Sequence, residues 1–286
     1  MEQPILKMSS RVVLAYTDTC AGIGKSKYLG SLKDMLRDLS SKTFIFFDTE
    51  TTGLDQHLDQ ITELSAVAVH GPDFEIADKM QARAALSEVT LRRMEEQKAL
   101  PPDPKKWTVE RALALTKYNE STLEARPEED VLREFKEFCT SHPAMIVGHN
   151  AEFDMRMVGT KIGKIPNQGV WDTMLFARFY FHPMLQVLEN TGDETAKEIL
   201  SGIRDAKGKP QATLGKVLQA LGISIDGWHT ALADVMSTVK AFQGILKYIQ
   251  DHVNLADDPS YKAYQSKAFK RVLDFKRDKY RGNPGL

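Results

Sequence analysis

Two acidic residues, Asp48 and Glu50, stand at the end of an apolar, β-rich run, TFIFFDTETTGL over residues 43–54. Successive side chains of a strand point to opposite faces, so these two carboxylates share one face. Two like charges this close repel each other unless one is protonated or a cation lies between them. Paired carboxylate oxygens suit a hard divalent ion such as Mg²⁺ or Mn²⁺. Because two acids also mark ordinary strand ends, a metal site needs further acids in support.

Two further acids lie near predicted helix starts. Asp154 is four residues after Asn150, one turn into the helix that leaves an apolar strand, and Asp234 is five residues after His229, with Thr230 as a plausible N-cap. The helix dipole favours an ionised carboxylate at such positions. Open α/β sheets bind ligands at the carboxyl ends of their strands. We therefore expect four acids from three segments to converge at one sheet edge.

Composition limits the class of protein. The chain has 286 residues, 42% hydrophobic and 27% charged, which is ordinary for a soluble globular protein. A net charge of −1 means that any attraction to nucleic acid must be local. Cys20 and Cys139 form no metal-binding or disulfide pattern, which favours a reducing compartment. No apolar run is long enough for a signal peptide or a membrane span, so we expect a cytoplasmic protein without membrane contact.

The order of predicted elements indicates an α/β protein. A hairpin follows the acidic strand, and strands and helices then alternate, which implies a parallel portion beside the hairpin. The predicted segments are strands at 61–70, 74–82 and 144–150, inserted helices at 85–126, helices after Pro127, at 151–162 and after Thr213, a short strand with an apolar helix at 170–190, a loop from Asp193 to Pro210, and a long helix from Thr230.

The N-terminal extension, residues 1–42, contains a stretch similar to a phosphate-binding loop. Gly24, Lys25 and Ser26 follow the strand-like run RVVLAY, as in G-x-x-x-x-G-K-S, but Thr19 occupies the first glycine position. That glycine makes the turn that lets backbone N–H groups surround a phosphate. The missing glycine favours an ordinary turn leading into a helix at 31–39 over a P-loop ATPase.

The C-terminal tail, residues 253–286, is basic and aromatic. Between Lys262 and Arg281 it holds eight basic residues against Asp274 and Asp278, with tyrosines and phenylalanines interleaved. Two interpretations are open. The tail either follows a phosphate backbone and stacks on bases, or forms an amphipathic helix docked on the preceding domain.

Three motifs together resemble one family: DTE after a strand, HNxxFD at 149–154 and HxAxxD at 229–234. This order is similar to that of the DEDD 3′-to-5′ exonucleases with a catalytic histidine (DEDDh), which include the proofreading epsilon subunit of bacterial replicative polymerases, exonuclease I, RNase T and oligoribonuclease. The resemblance covers residues 43–252. It implies an RNase H-like fold, a five-stranded mixed sheet flanked by helices. The extension, the 85–126 insertion and the tail depart from the minimal domain, which leaves partners and substrate length open.

The resemblance also implies the roles of the acidic residues. Asp48, Glu50, Asp154 and Asp234 would hold two Mg²⁺ or Mn²⁺ ions roughly 3.5–4 Å apart, the arrangement for in-line phosphoryl displacement. His229 would be the general base that takes a proton from the attacking water.

The same resemblance implies a site for the terminal nucleotide. Its candidate residues are Thr51, Thr52, Gly53 and Leu54 in the turn after the strand, followed by Asn150 and Phe153. Three of them also have a structural interpretation: Gly53 shapes the turn, Asn150 caps a helix and Phe153 packs in the core.

The function expected from these residues is a metal-dependent 3′-to-5′ exonuclease that releases nucleoside 5′-monophosphates from single-stranded or frayed DNA, in proofreading or DNA degradation. An exoribonuclease of the RNase T or oligoribonuclease type is the alternative, since only contacts to the 2′-OH separate the two. A non-catalytic nucleic-acid clamp is a third interpretation, disfavoured because all five catalytic positions are present. A DNA polymerase or other replication partner is left open.

Overall fold

The computed structural model describes Leu36, Leu39 and residues 42–71, 73–101, 103, 106–224 and 230–280, with side chains up to residue 271. The loop-like stretch at 17–26 and His229 lie outside the described residues. Within this range, no helix is both long and apolar enough to cross a membrane.

A mixed sheet forms the centre of the molecule. Its strands are β1 (Thr43–Thr51), β2 (Ile61–His70), β3 (Glu75–Ala84), β4 (Ala125–Arg126), β5 (Met145–Gly148) and β6 (Val170–Asp172). Their order is β4-β3-β2-β1-β5-β6. The pairs β1–β2 and β2–β3 are antiparallel, and β1–β5, β5–β6 and β3–β4 are parallel. The mixed α/β fold is as predicted, with six strands instead of five. The extra strand, β4, is two residues long, too short for a periodic signal in the sequence.

Helices pack on the sheet and on one another. They are α1 (Glu88–Lys98), α2 (Val109–Leu115), α3 (Glu128–Ser141), α4 (Ala151–Ile162), α5 (Thr173–Phe176), α6 (His182–Asn190), α7 (Glu194–Ile203), α8 (Leu214–Ala220), α9 (Ala231–Asp251) and α10 (Pro259–Tyr280), with a π-helical turn Ala177–Phe181 between α5 and α6. The predicted helices at 151–162, after Thr213 and from Thr230 are confirmed, as is the pair of helices in the insertion.

The loop predicted from Asp193 to Pro210 is wrong. Its first half is α7, which Asp193 caps by accepting the Ala196 N–H at 2.8 Å. Ala196, Leu200 and Ile203 are buried along one face of this helix. The segment was predicted to be a loop because its composition is polar. The apolar residues are nevertheless spaced three and four residues apart, as on one face of a helix.

The two faces of β1 belong to different hydrophobic cores. Phe44 and Phe46 pack on one face against Phe242 of α9. Ile45 and Phe47 lie in the core on the other face, which also contains α3 and α4 residues. Because side chains alternate along a strand, residues 48 and 50 continue the face under α9 and residue 49 continues the face under α4. This alternation decides which helix can bring an acid to which side of the strand.

Candidate active site

Three carboxylates meet at the end of β1. Asp48 and Glu50 project from the face of the strand under α9, and Asp234 lies in the first turn of α9. One carboxylate oxygen from each lies within 4.8 Å of the others, an arrangement able to hold a metal ion. Thr230 starts the helix by accepting the Ala233 N–H at 3.4 Å, which places Asp234 one turn in. Of the four acids that were predicted to converge, the structure brings these three together in one group.

The charges of this cluster oppose one another. Burial raises the pKa of the Asp48 carboxyl well above its ordinary value, and the charges of Asp154, Glu50 and Asp234 raise it further. Burial and the neighbouring acids raise the pKa of Glu50 to about 8. Either protons or a cation must therefore offset the repulsion. A donor set made only of carboxylate oxygens suits a hard divalent cation, so the residues present fit the predicted Mg²⁺ or Mn²⁺.

The fourth predicted acid, Asp154, reaches β1 from the opposite layer. Its Oδ1 accepts two hydrogen bonds from Thr49, one from the backbone N–H at 3.0 Å and one from the hydroxyl at 2.6 Å. Burial raises the pKa of Asp154 to about 7, against the lowering effect of these bonds. Its charge raises the pKa of both Asp48 and Glu50, so it acts on the cluster. Among the described residues, however, the compact group contains three acids, without Asp154.

A further acid, Glu63, was not among the sequence candidates. It lies on β2 directly opposite Glu50 in the strand register and is 6% exposed. Its charge contributes to the raised pKa of Glu50, and its Oε1 accepts a 3.1 Å hydrogen bond from Gln81 Nε2. A glutamate inside the apolar run ITELSAVAV was the signal that sequence reasoning missed.

Asp172, at the end of β6, was also missed. Its Oδ1 accepts the backbone N–H groups of Asn150, Met174 and Leu175 at 3.1, 2.9 and 3.3 Å. Burial raises the pKa of Asp172 to about 6, while these bonds lower it. The carboxylate therefore joins the start of α4 to the start of α5 and fixes the position of Asn150.

The Thr-Thr-Gly segment, which begins at the last residue of β1 and continues into the turn, is closely packed. The Thr51 hydroxyl donates to Gly53 O at 2.6 Å, and the Thr52 hydroxyl donates to Asp59 Oδ1 at 3.0 Å. A Cβ at Gly53 would lie only 2.4 Å from the Asp59 carboxylate, so no larger residue fits there without movement. The structure supports the interpretation in which Gly53 shapes the turn. Leu54 follows with 74% of its surface exposed.

The insertion holds this turn in place. Arg93 of α1 forms an ion pair with Asp59, and its Nη1 donates to Leu58 O at 2.6 Å. Gln60 Oε1 accepts hydrogen bonds from the Thr90 hydroxyl at 2.8 Å and the Ser87 N–H at 3.0 Å. The first inserted helix therefore supports the loop that leads from the acidic strand to β2.

A cleft of about 1440 Å³ begins beside this turn, and Leu54, Asn150 and Phe153 all line it. Asn150 has left-handed φ and ψ of 68° and 40°, and although it is the N-cap residue of α4 its side chain makes no capping hydrogen bond. The capping interpretation of its side chain is therefore wrong. Phe153 is half-buried against the core under α4 and lines the cleft as well. These three predicted nucleotide-binding residues share one space.

His149, next to Asn150, has a structural environment. Its Nδ1 lies 2.8 Å from the Thr173 hydroxyl and its Nε2 lies 2.9 Å from Ala212 O. Burial lowers the pKa of His149 to about 4, so the ring is neutral with the proton on Nε2, which donates to the carbonyl. With both nitrogens engaged, His149 connects β5 to the segment before α8.

A mixed sheet with helices on both faces and carboxylates gathered at the end of its central strand defines an α/β protein of RNase H-like architecture. The structure is similar to E. coli exonuclease I in complex with a dT13 oligonucleotide, with a TM-score of 0.52 and 18% sequence identity over 75% of this chain and 43% of that one. At this identity, the likeness concerns the fold.

Residues 45–242 match the model of the RNase T exonuclease family, so the chain belongs to that family, as its DEDD motifs predict. The chain is 37% identical over 147 residues to a PolC-type DNA polymerase III of Staphylococcus haemolyticus and 35% identical over 145 residues to that of Staphylococcus aureus. These matches cover 50% and 49% of this chain and 9% of each polymerase. The matched region is therefore a small part of those relatives.

Proposed function

We propose that this protein is a metal-dependent 3′-to-5′ exonuclease that hydrolyses single-stranded or frayed DNA to nucleoside 5′-monophosphates. The observation that carries the proposal is the meeting of Asp48, Glu50 and Asp234 within 4.8 Å at the end of β1. An all-carboxylate cluster suits phosphodiester hydrolysis assisted by divalent ions, and the cleft that begins at Leu54, four residues after Glu50, offers space for a nucleotide.

Each residue has a role in the proposed reaction. Two Mg²⁺ or Mn²⁺ ions, when bound, supply activation of the attacking water and neutralisation of charge on the departing 3′ oxygen. Asp48, Glu50 and Asp234 would hold these ions. Asp154, which Thr49 holds in position by two hydrogen bonds, would assist in binding them. His229 directly precedes Thr230, the N-cap of the helix that carries Asp234, and accepts the proton of the attacking water. Leu54, Asn150 and Phe153 position the terminal nucleotide within the cleft.

DNA is the preferred substrate because of what the relatives are. The sequence relatives are PolC-type DNA polymerases III, and the similar solved structure holds a dT13 oligonucleotide. The polymerase relatives also support DNA replication as a context, and a DNA polymerase partner is part of the proposal. An RNA substrate is the alternative, since the same residues serve both and only the 2′-OH distinguishes them.

Matched DNA and RNA oligonucleotides with labelled 5′ ends test this function. With Mn²⁺, we expect DNA to shorten from its 3′ end in single-nucleotide steps, and EDTA or Asp48→Ala to abolish the shortening. Preferential shortening of RNA would establish the exoribonuclease. Intact oligonucleotides that are retarded on a gel would establish a non-catalytic clamp, and phosphate release from ATP that Lys25→Ala removes would establish an ATPase.

The proposed boundaries are an extension at 1–42, an exonuclease domain at 43–252 and a tail at 253–286, with the cytoplasm as the compartment. Tyr261 of the tail is 3% exposed in the same core as α9, so the described beginning of α10 packs on the domain.

A further inference from the structure

The cleft that begins at the turn after β1 is larger than one nucleotide requires. Its volume of about 1440 Å³ exceeds the roughly 300–1,000 Å³ typical of small-molecule sites. It extends from Leu54 at the turn to the C-terminal helix α10, whose Tyr264, Lys267, Ala268 and Arg271 line it. A chain of several nucleotides therefore fits the space better than a mononucleotide.

The aromatic side chains of α10 attach this helix to the domain. Phe269 stacks on Phe179 with ring centroids 4.0 Å apart, and Gln265 Nε2 donates to Phe179 O at 3.1 Å. Asn190 Nδ2 donates to the Tyr264 hydroxyl at 2.5 Å. Of the two interpretations of the tail, the structure shows the helix docked on the preceding domain. Because Phe269 packs on Phe179, it is not available to stack on a base. The packing fixes which face of α10 lines the cleft.

That face presents positive charge. Lys267 and Arg271 are four residues apart, one turn along α10, and both are exposed where they line the cleft. Lys209, on the loop after α7, lines the same space. In the part of the chain that the structure describes, none of these three forms an ion pair.

The acids of the cleft, in contrast, are engaged. Asp55, Asp172 and Asp205 each accept backbone N–H groups. Glu152 lies 3.8 Å from the Arg156 guanidinium. The charge of Lys209 acts on Asp205, whereas Lys267 and Arg271 form no ion pair with an acid among the described residues and need displace none when they meet an anion. Cationic side chains spaced along one wall suit a repeating anion such as a phosphodiester chain.

We infer that α10 forms one wall of a channel for single-stranded nucleic acid, in which Lys267 and Arg271 contact backbone phosphates upstream of the terminal nucleotide. The channel deepens the proposed function and rests on it for the placement of the 3′ end. The contacts are to phosphates, so binding through them depends on length and salt and not on base sequence.

The test uses the full chain with Lys267→Gln and Arg271→Gln together, because removing α10 would expose the core that Tyr261 and Phe269 cover. The matched control is Lys262→Gln with Lys270→Gln, which removes the same charge from the same helix at positions that do not line the cleft. Binding of 5′-fluorescein-dT12 is measured by anisotropy in EDTA, so that no hydrolysis is needed.

We expect the cleft variant to bind dT12 about tenfold more weakly. The slope of log affinity against log salt should become smaller in magnitude by about 1.4, because each of the two lost phosphate contacts contributes roughly 0.7. We expect the control to bind within about twofold of the parent protein. Equal weakening in both variants would show a general charge effect and overturn the channel, as would unchanged binding in the cleft variant.

A mononucleotide substrate separates this inference from the proposed function. Hydrolysis of the p-nitrophenyl ester of thymidine 5′-monophosphate with Mn²⁺ requires the acidic cluster but reaches no upstream phosphate. We expect the cleft variant to hydrolyse this ester at the parent rate while its KM for dT12 rises about tenfold. An equal loss on both substrates would overturn the channel. If the parent protein hydrolyses neither, the proposed function fails, while the anisotropy result still decides the channel.

Discussion

Thr49 donates both its backbone N–H and its hydroxyl to one oxygen of Asp154, at 3.0 and 2.6 Å. These bonds join β1 to α4 at the residue between the two acids of the DTE motif. Thr49 therefore connects Asp154, which comes from α4 on one side of the sheet, to the acidic cluster on the side that packs against α9. It also stabilises the ionised form of Asp154, because bonds to a carboxylate lower its pKa.

Thr49→Val should weaken catalysis through Asp154. The substitution keeps the shape and removes a bond to a charged group, which is worth about 1.5–3 kcal/mol. We expect the rate to fall at least tenfold at pH 7 and the acidic limb of the pH–rate profile to move to higher pH, since the pKa of Asp154 rises. Thr160→Val is the control. Thr160 lies on the exposed side of α4, the helix that carries Asp154, and its hydroxyl donates to Arg156 O. An unmoved acidic limb would contradict the role of Thr49.

Asp48→Asn should affect stability and activity in opposite directions. The change removes one of three mutually repelling carboxylates, so we expect the Tm of the metal-free protein at pH 8 to rise. We also expect activity to be lost, together with the increase in Tm that Mn²⁺ gives the parent protein. Thermal unfolding with and without Mn²⁺ measures both effects. Asp257→Asn, at an exposed acid, should change neither, and near-normal activity of Asp48→Asn would exclude the proposed site.

The metal-free protein should lose stability as pH rises. The pKa of Glu50 is raised in the folded state from 4.5 to about 8, so the folded state binds more protons than the unfolded state between these values. The free energy of unfolding therefore falls with rising pH across this window. Divalent ions compete with these protons, so Mn²⁺ should raise the Tm more at pH 8 than at pH 6. Glu50→Gln should flatten the dependence; a pH-independent Tm in EDTA would contradict the electrostatic account.

Arg93→Ala should loosen the turn that we propose to bind the terminal nucleotide, although Arg93 itself lies outside the proposed site. It leaves the buried Asp59 carboxylate without its ion-pair partner, which we expect to lower the free energy of unfolding by about 1–3 kcal/mol. The turn carries Leu54, so KM for the thymidine p-nitrophenyl ester should rise more than kcat falls. Arg92→Ala removes the same charge at the exposed neighbouring position and should behave as the parent protein. Arg93→Lys should recover part of the loss, and a pure stability effect with unchanged KM would remove Arg93 from this role.

His229→Ala should lower the rate by roughly 10²–10⁴, the usual contribution of a general base. Metal binding should persist, because the three clustered carboxylates are untouched, and the Mn²⁺-dependent rise in Tm measures this. His70→Ala, at an exposed position at the end of β2, is the control. A loss of less than tenfold would mean that another group takes the proton.

The sequence alone determined the positions of the acids along the chain and the strand and helix starts that hold them. Asp48 and Glu50 share a face because strands alternate, and Asp234 lies one helical turn after a threonine N-cap; both relations are local. The sequence also predicted the family, because the family's motifs are short runs of residues in a fixed order. The amphipathic face of α7 was present in the sequence but hidden by its polar composition.

Only the tertiary structure decided which acids meet. Asp234 or Asp154 can meet Asp48 only if its helix packs on the face of β1 that carries Asp48. The side on which each helix packs is decided by the two hydrophobic cores on either side of β1. Glu63 enters the site through the register of β1 with β2, and Asp172 through the pairing of β5 with β6. Likewise, the docking of α10 depends on contacts such as Phe179 with Phe269, 90 residues apart. Such long-range packing leaves no periodic signal in the chain, because it is a property of the folded core and not of any one segment.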